Sequence, residues 1–270
     1  MRKQTWYLAV LMCLLFASTT AKVPPKAAGG AEHPERLMVD YAEEVWHARE
    51  WLDEHHDVTR VVEILNAMRE IDRAKLESAF QRSIKITFPG SRRLPDLEFA
   101  AKRKLKPFFD YYHLHGKIEV MVFSLGYPMA FNTGQIVGVS NQLITSWPED
   151  EMVGIVAHEI GHIIAQVQER LSDAPPPDTI AYRRAEEIKA DWVAMMMFGG
   201  AGLDPKRVMA GMERIVPRRQ YLQAGPLHPP MAVRLALMRE WLVRPQQRPR
   251  LREALLQVSL PARKEMVAQP

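Results

Sequence analysis

The chain has 270 residues, 47% of them hydrophobic and 25% charged, with a net charge of +4. That composition excludes a disordered chain and supports one core of moderate size, or one domain with an added subdomain. The charge is too small to suggest a nucleic-acid partner, and Cys13 is the only cysteine, which excludes a disulfide framework.

Residues 1–21 form a segment apart. Arg2 and Lys3 precede an unbroken apolar run from Trp6 to Ala17, followed by Ser18, Thr19, Thr20 and Ala21. This is the pattern of a secretory signal peptide cut after Ala21. The alternative is a membrane anchor formed by residues 6–17, a run short for a bilayer span. Removal of the segment leaves no cysteine and no integral membrane span, and we expect a periplasmic protein. Residues 22–34 hold three prolines and the Gly29-Gly30 pair, and read as a flexible linker.

Residues 35–115 read as a mainly helical region. Leu37, Tyr41 and Val45, then Val61, Ile64, Leu65, Met68 and Ile71, recur at three- and four-residue spacing. Ile84 to Phe88 alternates and meets Pro89-Gly90, which predicts a strand and a turn. Leu97 to Leu114 predicts a helix whose Lys102, Arg103, Lys104 and Lys106 form a solvated face. His33, His47, His55, His56, His113 and His115 show no ligand spacing. Lys117–Ser124 and Gln135–Ser140 predict further strands. The second of these is expected to offer an exposed edge to an extended substrate.

The central stretch is His158-Glu159-Ile160-Gly161-His162. On a helix, residues four apart share a face, so the two imidazoles can aim at one metal ion with Glu159 beside them as a base. Ser146, Pro148 and Glu149 predict the helix start through a capping box. Met152, Val156, Ile160, Ile163 and Val167 predict its buried stripe. Gly161 predicts a close approach by another segment, and the helix should stop near Leu171, before Pro175-Pro176-Pro177.

Asp178 is expected to cap the next helix, which runs to Gly199-Gly200. Glu187 and Asp191 share a face there. Glu187 suits a third protein ligand with the fourth position left to water, and Asp191 can accept the outward ring N–H of a liganding histidine. Asp204–Ile215 predicts another helix. Leu227-His228-Pro229-Pro230 precedes one more, with Val233, Leu235, Leu237 and Trp241 apolar. His228 could be a fourth ligand, a donor to the reacting oxygen, or a plain capping residue. The tail from Arg244 reads as solvated surface.

H-E-I-G-H at 158–162, E-I-K-A-D at 187–191 and H-P-P-M-A-V-R at 228–234 resemble the three signatures of the HtpX-like/CAAX prenyl protease family of zinc metallopeptidases. Ala130-Phe131 to Ser140 is similar to that family's strand before the active-site helix. The resemblance implies an α+β, mostly helical gluzincin-like fold with a small sheet packed on the H-E-x-x-H helix. Its metallopeptidase core would span residues 116–243, with a C-terminal tail at 244–270. The resemblance makes His158, His162 and Glu187 ligands of one zinc ion per chain and Glu159 the catalytic base. It sets Asp191 behind a ligand, with His228 and Arg234 near the site. Exported soluble relatives handle misfolded or stalled outer-membrane proteins. Polypeptide substrates and an association with the outer-membrane assembly machinery are therefore implied. Two departures stand out: Met129 replaces the asparagine common before the Ala-Phe pair, and the stretch from His162 to Glu187 is short.

The expected activity is endoproteolysis, with Glu159 moving the proton and His228, Tyr182 or Arg234 stabilising the oxyanion. The alternative is a holdase or assembly chaperone whose protease activity is latent, plugged by His228. A further rival is an intracellular regulatory metalloprotease of another gluzincin branch.

Overall fold

The computed structural model describes residues 40–55, 58–68, 70, 72–171, 179–216, 225 and 227–243. The expected signal segment, linker and tail, together with His33, His56 and the triple proline, lie outside these residues. The first helices are α1 (Ala42–His55), α2 (Val58–Ala67), α3 (Arg73–Thr87) and α4 (Pro95–Tyr111). Three strands follow: β1 (Glu119–Phe123), β2 (Ala130–Thr133) and β3 (Ile136–Ser140). Then come α5 (Asn141–Ser146), α6 (Glu149–Leu171), α7 (Ile180–Gly200), α8 (Lys206–Ile215) and α9 (Met231–Val243). The architecture is α+β and mostly helical, as expected. No described helix is long and apolar enough to cross a membrane.

Helix α6 is the centre of the packing. It opens with Glu149, Asp150 and Glu151, acids that suit the positive end of the helix dipole. Met152, Val156, Ile160 and Ile163 are buried along it, and Val167 is partly so. Glycines let neighbours come close. A Cβ on Gly161 would lie 2.6 Å from the Ala190 carbonyl oxygen of α7, and one on Gly154 would lie 3.0 Å from the Cα of Val208 in α8. Helix α1 packs on α7 and α2 on α6. One apolar cluster runs from Val45 and Leu65 through α6 and α7 to Trp241.

The sheet has the order β1-β3-β2, with β1 and β3 parallel and β2 antiparallel to β3. Gly134, at φ +60°, and Gln135 join β2 to β3 in a two-residue hairpin, which needs a left-handed residue. Alternation sends Val120, Val122, Val137 and Val139 into the main core. It sends Met121, Phe123, Ile136 and Phe131 to the opposite face, where Phe80 and Ile84 of α3 cover them. Phe131 stacks on Phe80 with ring centroids 5.6 Å apart, and its ring lies over Gly138, its cross-strand partner, which has no side chain to displace it.

Five expectations need correction. Ile84 to Phe88 is not a strand, since residues to Thr87 belong to α3. The apparent alternation hides a helical pair, for Phe80 and Ile84 are four apart and buried whereas Ile86 is 62% exposed. Gln135–Ser140 holds the central strand, paired on both sides, so it offers no free edge. The outer side of β1 is engaged by residues 92–94, through Leu94 N–H to the Val122 carbonyl and Ser124 N–H to the Arg92 carbonyl. Among the described strands β2 is therefore the one paired on a single side. Ser146 closes α5 instead of capping α6, while Ser140 caps α5 by accepting from Leu143 N–H. Helix α7 is capped by Thr179, whose hydroxyl accepts from Tyr182 N–H, and not by Asp178, which lies outside the described residues. The basic face of α4 is also less free than expected. Lys102 pairs with Glu119, and Lys104 donates to the Ile144 carbonyl.

Candidate metal centre

The H-E-x-x-H turn lies on α6, where one helical turn brings the rings of His158 and His162 together. Their Nε2 atoms are 3.1 Å apart and the ring planes are nearly perpendicular. Helix α7 supplies Glu187. Its Oε1 lies 3.3 Å from Nε2 of His162, and its Oε2 lies 3.5 Å from Nε2 of His158. These three residues form a group whose ligand atoms all fall within 4.8 Å of one another. Donors at bond lengths of about 2.0–2.2 Å around a tetrahedral ion sit about 3.3–3.6 Å apart, so the observed spacings suit such an ion. The close seat of α7 on Gly161 makes this possible. Any side chain there would push Ala190, three residues after Glu187, away from α6.

Behind the donors is a buried charge network. Arg234 of α9 grips Asp191 with two hydrogen bonds of 2.7 Å, and its Nη1 lies 3.1 Å from Oε2 of Glu187. Asp191 Oδ1 lies 2.9 Å from Nδ1 of His158, in contact but out of line for a regular hydrogen bond. Burial alone would raise the Glu187 carboxyl. The charges of His228, His162 and Arg234, with the His158 contact, hold it well below the usual carboxylate range instead. Burial likewise works against a proton on His158, but Asp191 and Glu187 outweigh it and raise the imidazole to about 9 before any ion binds. A metal ion would compete with that proton for the ring. Glu187 and Asp191 both contact the Arg234 guanidinium, and the charge of this pair that Arg234 leaves unbalanced is what a divalent cation would offset.

Glu159 is buried beside the ligands and points toward the sheet. Asn132 of β2 donates its amide N–H to Oε2 of Glu159 at 2.8 Å. His228 stands at the rim with its side chain 46% exposed, its Nε2 3.5 Å from Oε1 of Glu187. It touches the third ligand without joining the compact donor group. Its segment is tied back to α7, since Gly225 N–H donates to the His228 carbonyl and Arg184 donates to the Gly225 carbonyl. Arg184 also lies 3.3 Å from Glu44 of α1. The Tyr182 ring is taken up by His47 and by Lys189, whose Nζ lies 4.1 Å from the ring centroid.

The structure thus brings His158, Glu159, His162, Glu187, Asp191, His228 and Arg234 into one region. Sequence reasoning missed Asn132 and Arg184. Asn132 carried a weak signal, as a polar residue two positions after Ala130 and hence on the same side of a strand. Arg184, three residues before Glu187 on α7, carried a spacing signal only.

Residues 100–172 match the family model described as peptidase family M48. No curated protein and no solved structure matches the chain. The matched stretch covers the strands and the whole of α6. It therefore supports a metal-dependent peptidase of that family. Glu187, Asp191, His228 and Arg234 lie beyond the match, and are drawn to the same point by the geometry alone.

Proposed function

We propose that the chain is a zinc-dependent endopeptidase of the M48 type. It would be exported to the periplasm and would clear misfolded or envelope polypeptides there. The observation that carries the chemistry is the convergence of His158, His162 and Glu187 with Glu159 alongside. Two imidazole nitrogens and one carboxylate oxygen, with a position left open, are the donor set of catalytic zinc. The N-terminal pattern of residues 1–21 supports export, and the resemblance at 158–162, 187–191 and 228–234 supports quality control and a contact with the outer-membrane assembly machinery.

A bound zinc ion supplies Lewis acidity toward the scissile carbonyl and toward a water molecule. The chain's own residues do the rest. Glu159 takes a proton from the attacking water and later passes it to the leaving amine. Asp191 occupies the Nδ1 side of His158, which leaves Nε2 for the ion. Arg234 holds Asp191 and Glu187 in place and offsets part of their charge. His228, half-exposed at the rim, donates to the oxyanion of the tetrahedral intermediate. The single-sided strand β2 accepts an extended substrate through main-chain hydrogen bonds.

The test is metal analysis with casein digestion, on the parent and on Glu159→Gln. The parent should carry one zinc per chain and lose cleavage to a chelator. Glu159→Gln should keep the metal and lose at least about 100-fold in rate. A parent without metal, or a variant that digests casein at the parent rate, would overturn the assignment.

A further inference from the structure

The Asn132–Glu159 contact joins the sheet to the base assigned above, and the inference drawn from it rests on that function. Asn132 stands on β2, which among the described strands is paired on a single side, and alternation turns it to the same side as Ala130, toward α6. Its side chain is buried, and its amide nitrogen is 2.8 Å from Oε2 of Glu159. A carboxylate can only accept, so the group facing it is the amide N–H donor. The other charged groups around Glu159 are Arg234, which feels its charge, the ligand Glu187 and the ligand histidines that flank it on α6. Arg234 is a competing attraction: a carboxylate free to turn would be drawn toward a buried guanidinium already shared by Asp191 and Glu187.

We propose that Asn132 is a positioning residue for the base. By holding Oε2 it fixes the carboxylate plane and leaves Oε1 as the oxygen that meets the reacting water. The water O–H bond breaks as its oxygen bonds to the carbonyl carbon, whose π pair moves onto the carbonyl oxygen and returns when the C–N bond breaks. The proton passes to Oε1, and later to the amine as the C–N bond breaks. The asparagine itself exchanges no proton.

The experiment compares the parent, Asn132→Leu, Asn132→Asp and Glu159→Gln in steady-state cleavage of an internally quenched peptide, with zinc content and melting temperature for each. Asn132→Leu keeps the volume but removes the donor. It should lose about 10- to 100-fold in kcat, with KM and zinc within twofold of the parent. Asn132→Asp is isosteric, but it sets a second carboxylate against Glu159 and should lose more. Adding Asn132→Leu to Glu159→Gln should cost far less than it costs in the parent, because the group it positions is gone. A purely structural asparagine would penalise both backgrounds alike, and that outcome overturns the proposal. So does a loss confined to KM, which would make Asn132 a substrate contact, or a loss that follows zinc content. If Glu159→Gln cleaves like the parent, the assignment of the base fails first. If Glu159→Gln is inactive while both Asn132 variants keep the parent kcat, only the positioning role fails.

Discussion

Adding one methyl group at Gly161 should cost the site its metal. A Cβ there would lie 2.6 Å from the Ala190 carbonyl oxygen, 2.8 Å from its Cα and 3.1 Å from its carbonyl carbon. All three are backbone atoms of α7, so no side chain can swing aside. Restoring an ordinary contact of about 3.5 Å requires the helices to part by about 0.9 Å. Glu187 and Asp191 ride on α7, and the histidines ride on α6. The 3.3 and 3.5 Å gaps between Glu187 and the rings would therefore open toward about 4 Å, past what a tetrahedral ion spans. Overpacking costs about 1–3 kcal/mol, and replacing a mid-helix glycine by alanine returns up to about 1 kcal/mol. Net stability should fall by about 3 kcal/mol at most, so zinc affinity is the sharper readout. We expect a 10- to 100-fold weaker zinc dissociation constant in competition with a chromophoric chelator. Gly154→Ala is the control, because its Cβ meets α8 and not the ligand-bearing helix. It should lower the melting temperature with zinc affinity unchanged. If Gly161→Ala binds zinc as the parent does, the helix approach does not set the donor spacing.

Arg234→Met should destabilise the metal-free protein by about 3–5 kcal/mol in denaturant unfolding, because it strands two buried carboxylates. Added zinc should recover part of that loss, and an unchanged denaturation midpoint would show the network to be dispensable. His228→Ala should retain zinc and lower kcat by about 100-fold, as expected for loss of an oxyanion donor. A rise in activity on that substitution would instead support a plug at the open position.

How much of this was written in the sequence depends on range. The two helices and their chemistry follow from four-residue spacing, His158 to His162 and Glu187 to Asp191, which any helix converts into a shared face. The close seat of Gly161 was legible for the same local reason. Strand order was not. The centre of the sheet goes to Ile136–Ser140 because β1 pairs past β2 with it while β2 folds back on its other side, and nothing local marks a strand as inner or outer. The four-residue strand β2 was too short to stand out, and Asn132 went unnoticed with it. Ile84 to Phe88 misled because five residues can satisfy both periods, and the deciding partner, Phe80, lies one helical turn earlier. The role of His228 was not legible either, because its ring meets Glu187 across a tertiary contact that no local spacing encodes.

If Glu159 is the base proposed above, the aromatic stack behind the sheet makes helix α3 and the residue that follows it part of the support for the reaction. Phe131 and Asn132 are neighbours on one short ribbon, so whatever grips the ring also aims the amide. Phe80 and Phe88, from well before residue 116, supply that grip. A fragment trimmed to start at the first strand would keep every ligand and still be a poor enzyme, its base no longer steadied from behind.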